Sequence, residues 1–439
     1  LIESNLRPNC PRIPIPFATG NPILKPMSKH HHDIAVVGAG AAGIAAALAF
    51  AREGYSVALV GKGEARRDGR TVALLDGSVR FLEKLGVWGR IEPMAAPLEV
   101  MRIIDDTPNL FRAPTVSFAA REIGLDAFGW NVENAALVEA LSAAVKDRPE
   151  IDVFDAQAVS TGYQDTVSAG SQDHRITVRL SDGTSIAASL AVAADGRKSR
   201  LREAAGIKTR NWSYPQSALT TILAHDKDHR DISTEFHTRH GPFTLVPLPG
   251  RRSSLVWVTD PTAAEHMSHY DDESLARAVE RQAHSLLGKM RIDGPRGLIP
   301  MSGLSVDRFH ADRIALVGEA AHVFPPIGAQ GLNLGFRDVA ALRDAVVEAG
   351  GRGHDIGSEA ALAPYERGRR LDVRMRTTGV DMLNRTLLAG LLPADMLRGV
   401  GLHALQMIGP LRRMVMREGV TPRIGTPQLM RRDPTPATL

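Results

Sequence analysis

Three glycines, Gly38, Gly40 and Gly43, stand in the spacing Gly-x-Gly-x-x-Gly. An apolar run, Ile34 to Val37, precedes them and an alanine-rich run follows. Strand, glycine turn and helix form the context in which this spacing holds a dinucleotide. The first glycine allows the tight turn, the second lets a pyrophosphate reach the backbone, and the third lets helix and strand pack closely. The helix N-terminus adds free N–H groups and partial positive charge for the phosphates. An acid about twenty residues further on normally takes the adenosine ribose. Here that place falls on Gly61, followed by Lys62, and Glu64 is the nearest carboxylate. The motif alone leaves FAD and NAD both open.

Two later stretches place a glycine just after an apolar run. Asp195-Gly196-Arg197 follows the apolar run Leu190 to Ala194, and Gly318-Glu319-Ala-Ala-His322 follows Ile314 to Val317. Next comes Pro325-Pro-Ile-Gly328-Ala-Gln330-Gly331-Leu-Asn333-Leu-Gly335-Phe-Arg-Asp338. Glycines at 328, 331 and 335 permit backbone approach that a side chain blocks. A helix starting there would direct its dipole at negative charge. Arg197, Lys198, Arg200 and Arg202 cluster beside Asp195; such a cluster meets phosphates or forms a solvated helix face, and both readings stay open. No Ser/His/Asp or paired-carboxylate arrangement stands out, and His322 is read as structural rather than as a base.

These residues need elements to position them. The sequence predicts strand Asp33 to Val37, helix Gly43 to Glu53 and strand Tyr55 to Val60, a βαβ opening whose near-continuous apolar strand suits a parallel sheet covered on both faces. Helices are expected over Ser78 to Leu85 and Asn134 to Lys146, the second with Leu137, Ala140, Leu141 and Ala144 on one face. Ile151 to Val192 and Ser217 to Thr259 read as strands, with Asp182-Gly183 as a hairpin turn. Helical patterning returns after Asp272, with a strand at Arg313 to Val317 and helices to Arg417. Residues 1 to 26 carry six prolines and no apolar period, so Met27 is expected to be the natural start and the preceding stretch disordered. His30, His31 and His32 lack the spacing of a folded metal site and read as a polar lead-in.

Of the 439 residues, 44% are hydrophobic and 23% charged, the balance of a globular protein rather than a disordered or polytopic membrane chain. A formal charge of +4 is too small for the footprint of a nucleic-acid binder. The single cysteine, Cys10, excludes an intrachain disulfide and a cysteine zinc site, which favours a cytoplasmic setting. The uncharged stretch Ile34 to Ala51 is mostly Ala and Gly and reads as strand, turn and helix rather than a membrane span.

Taken together, the motifs resemble those of a group A flavoprotein monooxygenase of the ubiquinone-biosynthesis aromatic hydroxylase (UbiH/UbiF) type, over essentially all of Asp33 to Val420. The resemblance also rests on Arg70-Thr-Val-Ala-Leu74, Leu85-Gly-Val-Trp88, Val132-Glu-Asn134, Gly241-Pro-Phe-Thr-Leu-Val-Pro247, Ser254-Leu-Val-Trp257, and Tyr365 with Arg369, Arg370 and Asp372. It implies an FAD cofactor held by Gly38, Gly40, Gly43, Arg70, Asp195, Gly318, Glu319, Pro325, Gly328, Gln330, Gly331 and Asn333, with no metal and no nameable catalytic base. Three positions depart from the family pattern: Glu319 stands for the usual Asp, Pro325-Pro326 for His-Pro, and Ala329 for Gly. The implied chemistry is reduction of FAD by NAD(P)H, addition of O2 to give a flavin hydroperoxide, and attack by an electron-rich phenol ring, here that of a polyprenylated ubiquinone precursor.

The expected fold is α/β. It comprises an FAD-binding Rossmann-like domain (33–105, 131–209 and 293–345), an inserted β-rich substrate domain (106–130 and 210–292) and a C-terminal helical region (346–420), between a disordered extension (1–32) and a flexible tail (421–439). Met396 to Arg417 mixes apolar residues with arginines; a peripheral membrane contact is one reading and packing against the flavin domain the preferred one. Rival functions are a hydroxylase of a small soluble aromatic or secondary metabolite, a flavin dehydrogenase or prenyl reductase, and a non-catalytic member of a quinone-synthesis complex. Tryptophan halogenation is disfavoured because the Trp-rich motif of that family is missing.

Overall fold

A computed structural model of the chain describes residues 29–63, 65, 67–108, 114–168, 171–325, 330–388, 408–420 and 425–432. The first strand, Lys29–Val37, pairs in parallel with Ser185–Ala193 on one side and with Val57–Val60 on the other. Ile314–Leu316 and Ile151–Phe154 extend this parallel core at either edge. Ile34, Ala35 and Val36 are fully buried, and so is nearly all of helix Ala41–Ala51, whose small side chains let it lie close on the sheet. The strand starts at Lys29, so residues 29–32 are not part of a disordered extension. His32 explains why: it is buried, and its Nε2 contacts the Asp152 carboxylate at 2.8 Å on the edge strand.

The second sheet is mostly antiparallel and runs, in spatial order, His322–Val323, Gly297–Val306, Thr209–His225, Arg252–Thr259, Gly241–Leu248, Ile232–Thr238, Val100–Asp105 and Val116–Ala119. It thus takes in Val100–Asp105 and Gly297–Val306, which the sequence division assigns to the FAD-binding part. No local pattern separates these strands from their neighbours; only their pairing partners do.

A small three-stranded sheet, Thr71–Leu75, Gly129–Glu133 and Ala95–Pro97, bridges the two larger ones. Asn131, buried, donates from Nδ2 to Pro247 O at 2.8 Å, Thr71 Oγ1 donates to Ser254 Oγ at 2.8 Å, and Arg252 reaches Glu133 at 3.1 Å and Asp293 at 2.6 Å.

The chain end corrects two expectations. Residues 425–432 are not loose: Gln428–Met430 forms a 3-10 turn, and Leu429 and Met430 are buried in the main core, each contributing about 1.5–3 kcal/mol by the usual measure of apolar burial. Helix Gly409–Val420 packs on Ala120–Ile123 beside the second sheet rather than on the flavin side. Arg412 pairs with Glu122 at 2.6 Å and stands over the Phe118 ring, and Met416 is buried against Phe128 and its neighbours. Residues 396–407 lie outside the described residues.

Candidate active site

Gly38 has φ +115, and a Cβ there would lie 2.2 Å from Ala194 O; a Cβ on Gly43 would lie 1.7 Å from Gly38 O. The turn is wedged between its own helix and the end of strand Ser185–Ala193, and neither position admits a side chain. Gly40 is the reverse, since a Cβ there would meet nothing within 4 Å. No side chain caps helix Ala41–Ala51 and no acid sits in its first turn. Open space thus lies before unclaimed N–H groups, the arrangement a diphosphate needs.

The missing ribose acid has a steric reason. Gly61 has φ +136, and a Cβ there would sit 2.9 Å from Ala39 N. The second strand ends against the glycine turn itself, leaving no room for a carboxylate on that residue. Glu64 lies outside the described residues.

Asp195 follows the strand that backs the turn. Its Oδ2 accepts N–H groups from Arg200 at 2.8 Å and Leu201 at 3.3 Å, while Oδ1 is buried with no partner. A dry carboxylate oxygen can only accept, so it suits a hydroxyl donor such as a ribityl or ribose group. Of the basic cluster beside it, Arg197, Lys198 and Arg200 are exposed and only Arg202 is turned inward. Arg202 is buried and donates to Ala320 O and Arg197 O, both at 2.9 Å, tying the Asp195 loop to the Gly318 turn. Burial lowers its pKa, partly offset by Asp195. Arg200 donates to Ala158 O at 3.2 Å and Arg197 to Ser302 Oγ.

Gly318, Gly335 and Ala42 meet in one place: a Cβ on Gly335 would lie 3.4 Å from the Gly318 Cα and 3.7 Å from the Ala42 Cβ. The three glycine-bearing stretches converge there although they are nearly 300 residues apart at the extremes. Glu319 is exposed between buried Gly318 and Ala320, so its carboxylate is turned outward. Arg70 donates from Nε to Asp68 Oδ2 at 2.8 Å; Asp68, and at longer range Glu319, hold its guanidinium above the ordinary value. The Asp68 partner went unread in the sequence, although Asp-x-Arg is a spacing that permits it.

Helix Gln330–Gly351 opens beyond this point, and a Cβ on Gly331 would meet nothing within 4 Å. Asn333 is otherwise engaged. Its Nδ2 donates to Ala73 O at 2.8 Å and its Oδ1 accepts the Leu75 N–H at 2.9 Å, pinning the helix start to strand Thr71–Leu75. It therefore positions rather than reaches outward. Pro325 is buried. Gly328, Pro326 and Ala329 lie outside the described residues, as does the Gln330 side chain.

Behind the glycines sits a buried charge cluster that sequence reading did not assemble. Asp338, fully buried, accepts the Gly318 N–H at 2.9 Å, the His322 Nε2–H at 2.7 Å and the Arg369 Nε–H at 2.6 Å. Burial pushes its carboxyl up, but His322 and Arg369 outweigh that and hold it below the ordinary range. Arg369 also pairs with Asp372, whose Oδ2 lies 2.8 Å from Arg337 Nε. Tyr365, buried and raised well above its usual pKa by burial and then by Asp338, donates to Leu316 O at 2.5 Å. His322 is thus held by Asp338 through Nε2, while its buried Nδ1 has no hydrogen-bond partner among the described residues.

A family model described as FAD binding domain matches residues 31–377. The chain belongs to the FAD-dependent aromatic monooxygenases. Ubiquinone hydroxylase UbiL of Rhodospirillum rubrum is 33% identical, covering 91% of this chain and 92% of that protein. 3-Demethoxyubiquinol 3-hydroxylase of Escherichia coli is 29% identical, over 89% and 99% respectively. Among solved structures, p-nitrophenol 4-monooxygenase PnpA from Pseudomonas putida superposes with TM-score 0.72 at 18% identity, covering 90% of this chain and all of that one. A point variant of Klebsiella pneumoniae HpxO complexed with FAD gives 0.68 at 20% identity, covering 89% and 98%. At such identities the likeness establishes the fold. The geometry of this monooxygenase fits FAD in its own right, through the open glycine turn, the uncapped helix and the orphaned Asp195 oxygen. Among the described residues no helix is long and apolar enough to cross a membrane, and no group of three or more His, Cys, Asp or Glu side chains is placed to hold a metal ion.

Proposed function

We propose that this monooxygenase hydroxylates the aromatic ring of a polyprenylated ubiquinone precursor, with NAD(P)H as electron donor. The observation that carries the reading is kinship with a ubiquinone hydroxylase at 33% identity over 91% of the chain, substrate half included. FAD, when bound and reduced, supplies the activated oxygen. The chain supplies the rest. The Gly38 to Gly43 turn and the free N–H groups of helix Ala41–Ala51 bind the diphosphate. Asp195 Oδ1 and Glu319 accept hydroxyl donors, and Arg70, held by Asp68, adds positive charge beside them. The N-terminus of helix Gln330–Gly351 would offer free N–H groups and its dipole to negative charge on the cofactor. The bridging sheet, tied to the second sheet by Asn131 and Ser254, would hold the substrate half against the cofactor half.

Contact with an anionic lipid surface belongs to the same reading. The outward face of helix Glu359–Leu388 carries Arg367, Arg370, Leu371, Arg374 and Met375, with Leu371 61% and Met375 66% exposed. Cationic and apolar groups on one helix face suit the headgroup region, where a prenylated phenol is found. Salt-sensitive co-sedimentation with anionic but not zwitterionic vesicles is expected.

The deciding experiment supplies FAD, NADPH, labelled O2 and either a polyprenylated phenol in micelles or a free aromatic acid, and reads products by mass. Gain of one labelled oxygen by the prenylated phenol is expected. Turnover of the free acid alone would assign a small soluble substrate. Protein that stays colourless with excess FAD would overturn the reading.

A further inference from the structure

We propose that the C-terminal segment Gly425–Arg432 is a positioning strap of the cofactor site, setting the spacing of two helices that adjoin the cofactor-binding segments. The inference rests on the FAD reading above. The strap lies between helix Asp76–Lys84 and helix Gln330–Gly351, touching both.

On the long helix, Arg337 donates to Gly425 O at 3.2 Å, and Arg343 donates to Gln428 Oε1 at 3.0 Å while also pairing at 2.7 Å with Glu53, just past the end of helix Ala41–Ala51. Asp344 Oδ2 accepts the Gln428 N–H at 2.8 Å. On the shorter helix, Lys84 donates to Arg431 O at 3.0 Å and to Gln428 O at 3.4 Å, and a Cβ built on Gly77 would touch the Met430 side chain at 3.9 Å. Leu429 and Met430, 3% and 4% exposed, fill the gap from below.

Both clamped helices lead directly to the site. Helix Asp76–Lys84 continues from strand Thr71–Leu75, whose first residue follows Arg70 and whose backbone is bonded to Asn333. The long helix begins with Gln330 and Gly331. A continuous polar line also runs from the strap to the Gly318 turn: Gly425 O, Arg337, Asp372, Arg369, Asp338, Gly318 N. Close-packed interiors transmit such displacements rather than absorb them, so removing the wedge shifts the helix starts relative to each other and opens the cradle. Just upstream of the strap, helix Gly409–Val420 is held to the second sheet by Arg412 and Glu122. This end of the chain therefore ties the cofactor half to the substrate half.

The test uses the full-length chain with Leu429→Asp, Leu429→Met and Gln428→Ala. Readouts are the FAD dissociation constant, the visible spectrum and reduction potential of bound flavin, and the far-ultraviolet circular dichroism of the apoprotein. Leu429→Asp is expected to weaken FAD binding at least tenfold and shift the flavin spectrum with the dichroism retained; Leu429→Met should restore both. If Leu429→Asp fails to fold, Gln428→Ala, which deletes one tether at the surface, is read instead, with an expected two- to fivefold weakening. Unchanged affinity, spectrum and potential in whichever of these variants folds would overturn the strap. Wild-type protein that binds no FAD would instead overturn the cofactor reading on which it rests.

Discussion

Replacing Asp338 by Asn tests whether the buried charge cluster holds the cofactor turn. The carboxylate is fully buried and accepts from Gly318 N, His322 Nε2 and Arg369 Nε, all within 2.9 Å. An amide of the same shape has one acceptor oxygen in place of two, so its NH2 must face a donor, and Arg369 loses its buried counter-charge while keeping Asp372. Breaking a buried pair in this way costs roughly 3–5 kcal/mol. At about 2.1 cal/mol/K per residue, 439 residues give an unfolding entropy near 0.9 kcal/mol/K, so the melting temperature should fall by roughly 3–5 °C. The pH dependence adds a second signature. The folded pKa of Asp338 lies below its ordinary value of 3.8, so its contribution is fully present above that value and is lost as pH falls through the lower folded value. The variant should lose this acid-limb component while keeping the rest of the profile. Calorimetry from pH 3 to 8 and FAD titration of the same samples supply the assay. A loss below about 1 kcal/mol with unchanged FAD affinity would refute the reasoning, because a desolvated carboxylate with three donors cannot be neutralised that cheaply.

The two faces of the glycine turn should separate cleanly. Gly40→Ala, which meets nothing within 4 Å, should fold normally yet weaken FAD binding about tenfold or more by titration, whereas Gly43→Ala, at 1.7 Å from Gly38 O, should lower the melting temperature as well. Gly61→Glu, which restores the ribose acid on paper, should lose both stability and FAD affinity, since its Cβ would sit 2.9 Å from Ala39 N at φ +136; tighter binding would contradict the steric account. Asn333→Leu removes two hydrogen bonds to strand Thr71–Leu75, expected to cost about 1–3 kcal/mol in urea unfolding and to shift the spectrum of bound flavin. Tyr365→Phe should cost about 0.5–1.5 kcal/mol with FAD binding unchanged, because among the described residues its hydroxyl bonds only Leu316 O.

The sequence determined whatever depends on neighbours along the chain. The strand–turn–helix around Gly38, Gly40 and Gly43 is readable because steric freedom and close packing are demanded of consecutive residues, and the hairpin at Asp182-Gly183 is readable because its turn preference is local, with Thr184 N bonded back to Asp182. Resemblance carried the reading further, to the Asp195 and Gly318 motifs that the fold brings against that first turn. Tertiary structure alone decided the rest. Whether Gly61 is a defect or a necessity depends on Ala39 lying 2.9 Å from its missing Cβ. Whether Asn333 reaches outward or pins a strand depends on Ala73 and Leu75, some 260 residues away. The basic cluster near Asp195 leaves phosphate contact and a solvated face both open in the sequence, and only the fold shows Arg202 alone of the four buried, between two carbonyl groups. The proline- and arginine-rich end reads as loose until Leu429 and Met430 are found in the core. In each case the sign of the effect is set by a partner distant in sequence, and burial converts a residue that composition marks as surface into one that holds the site together.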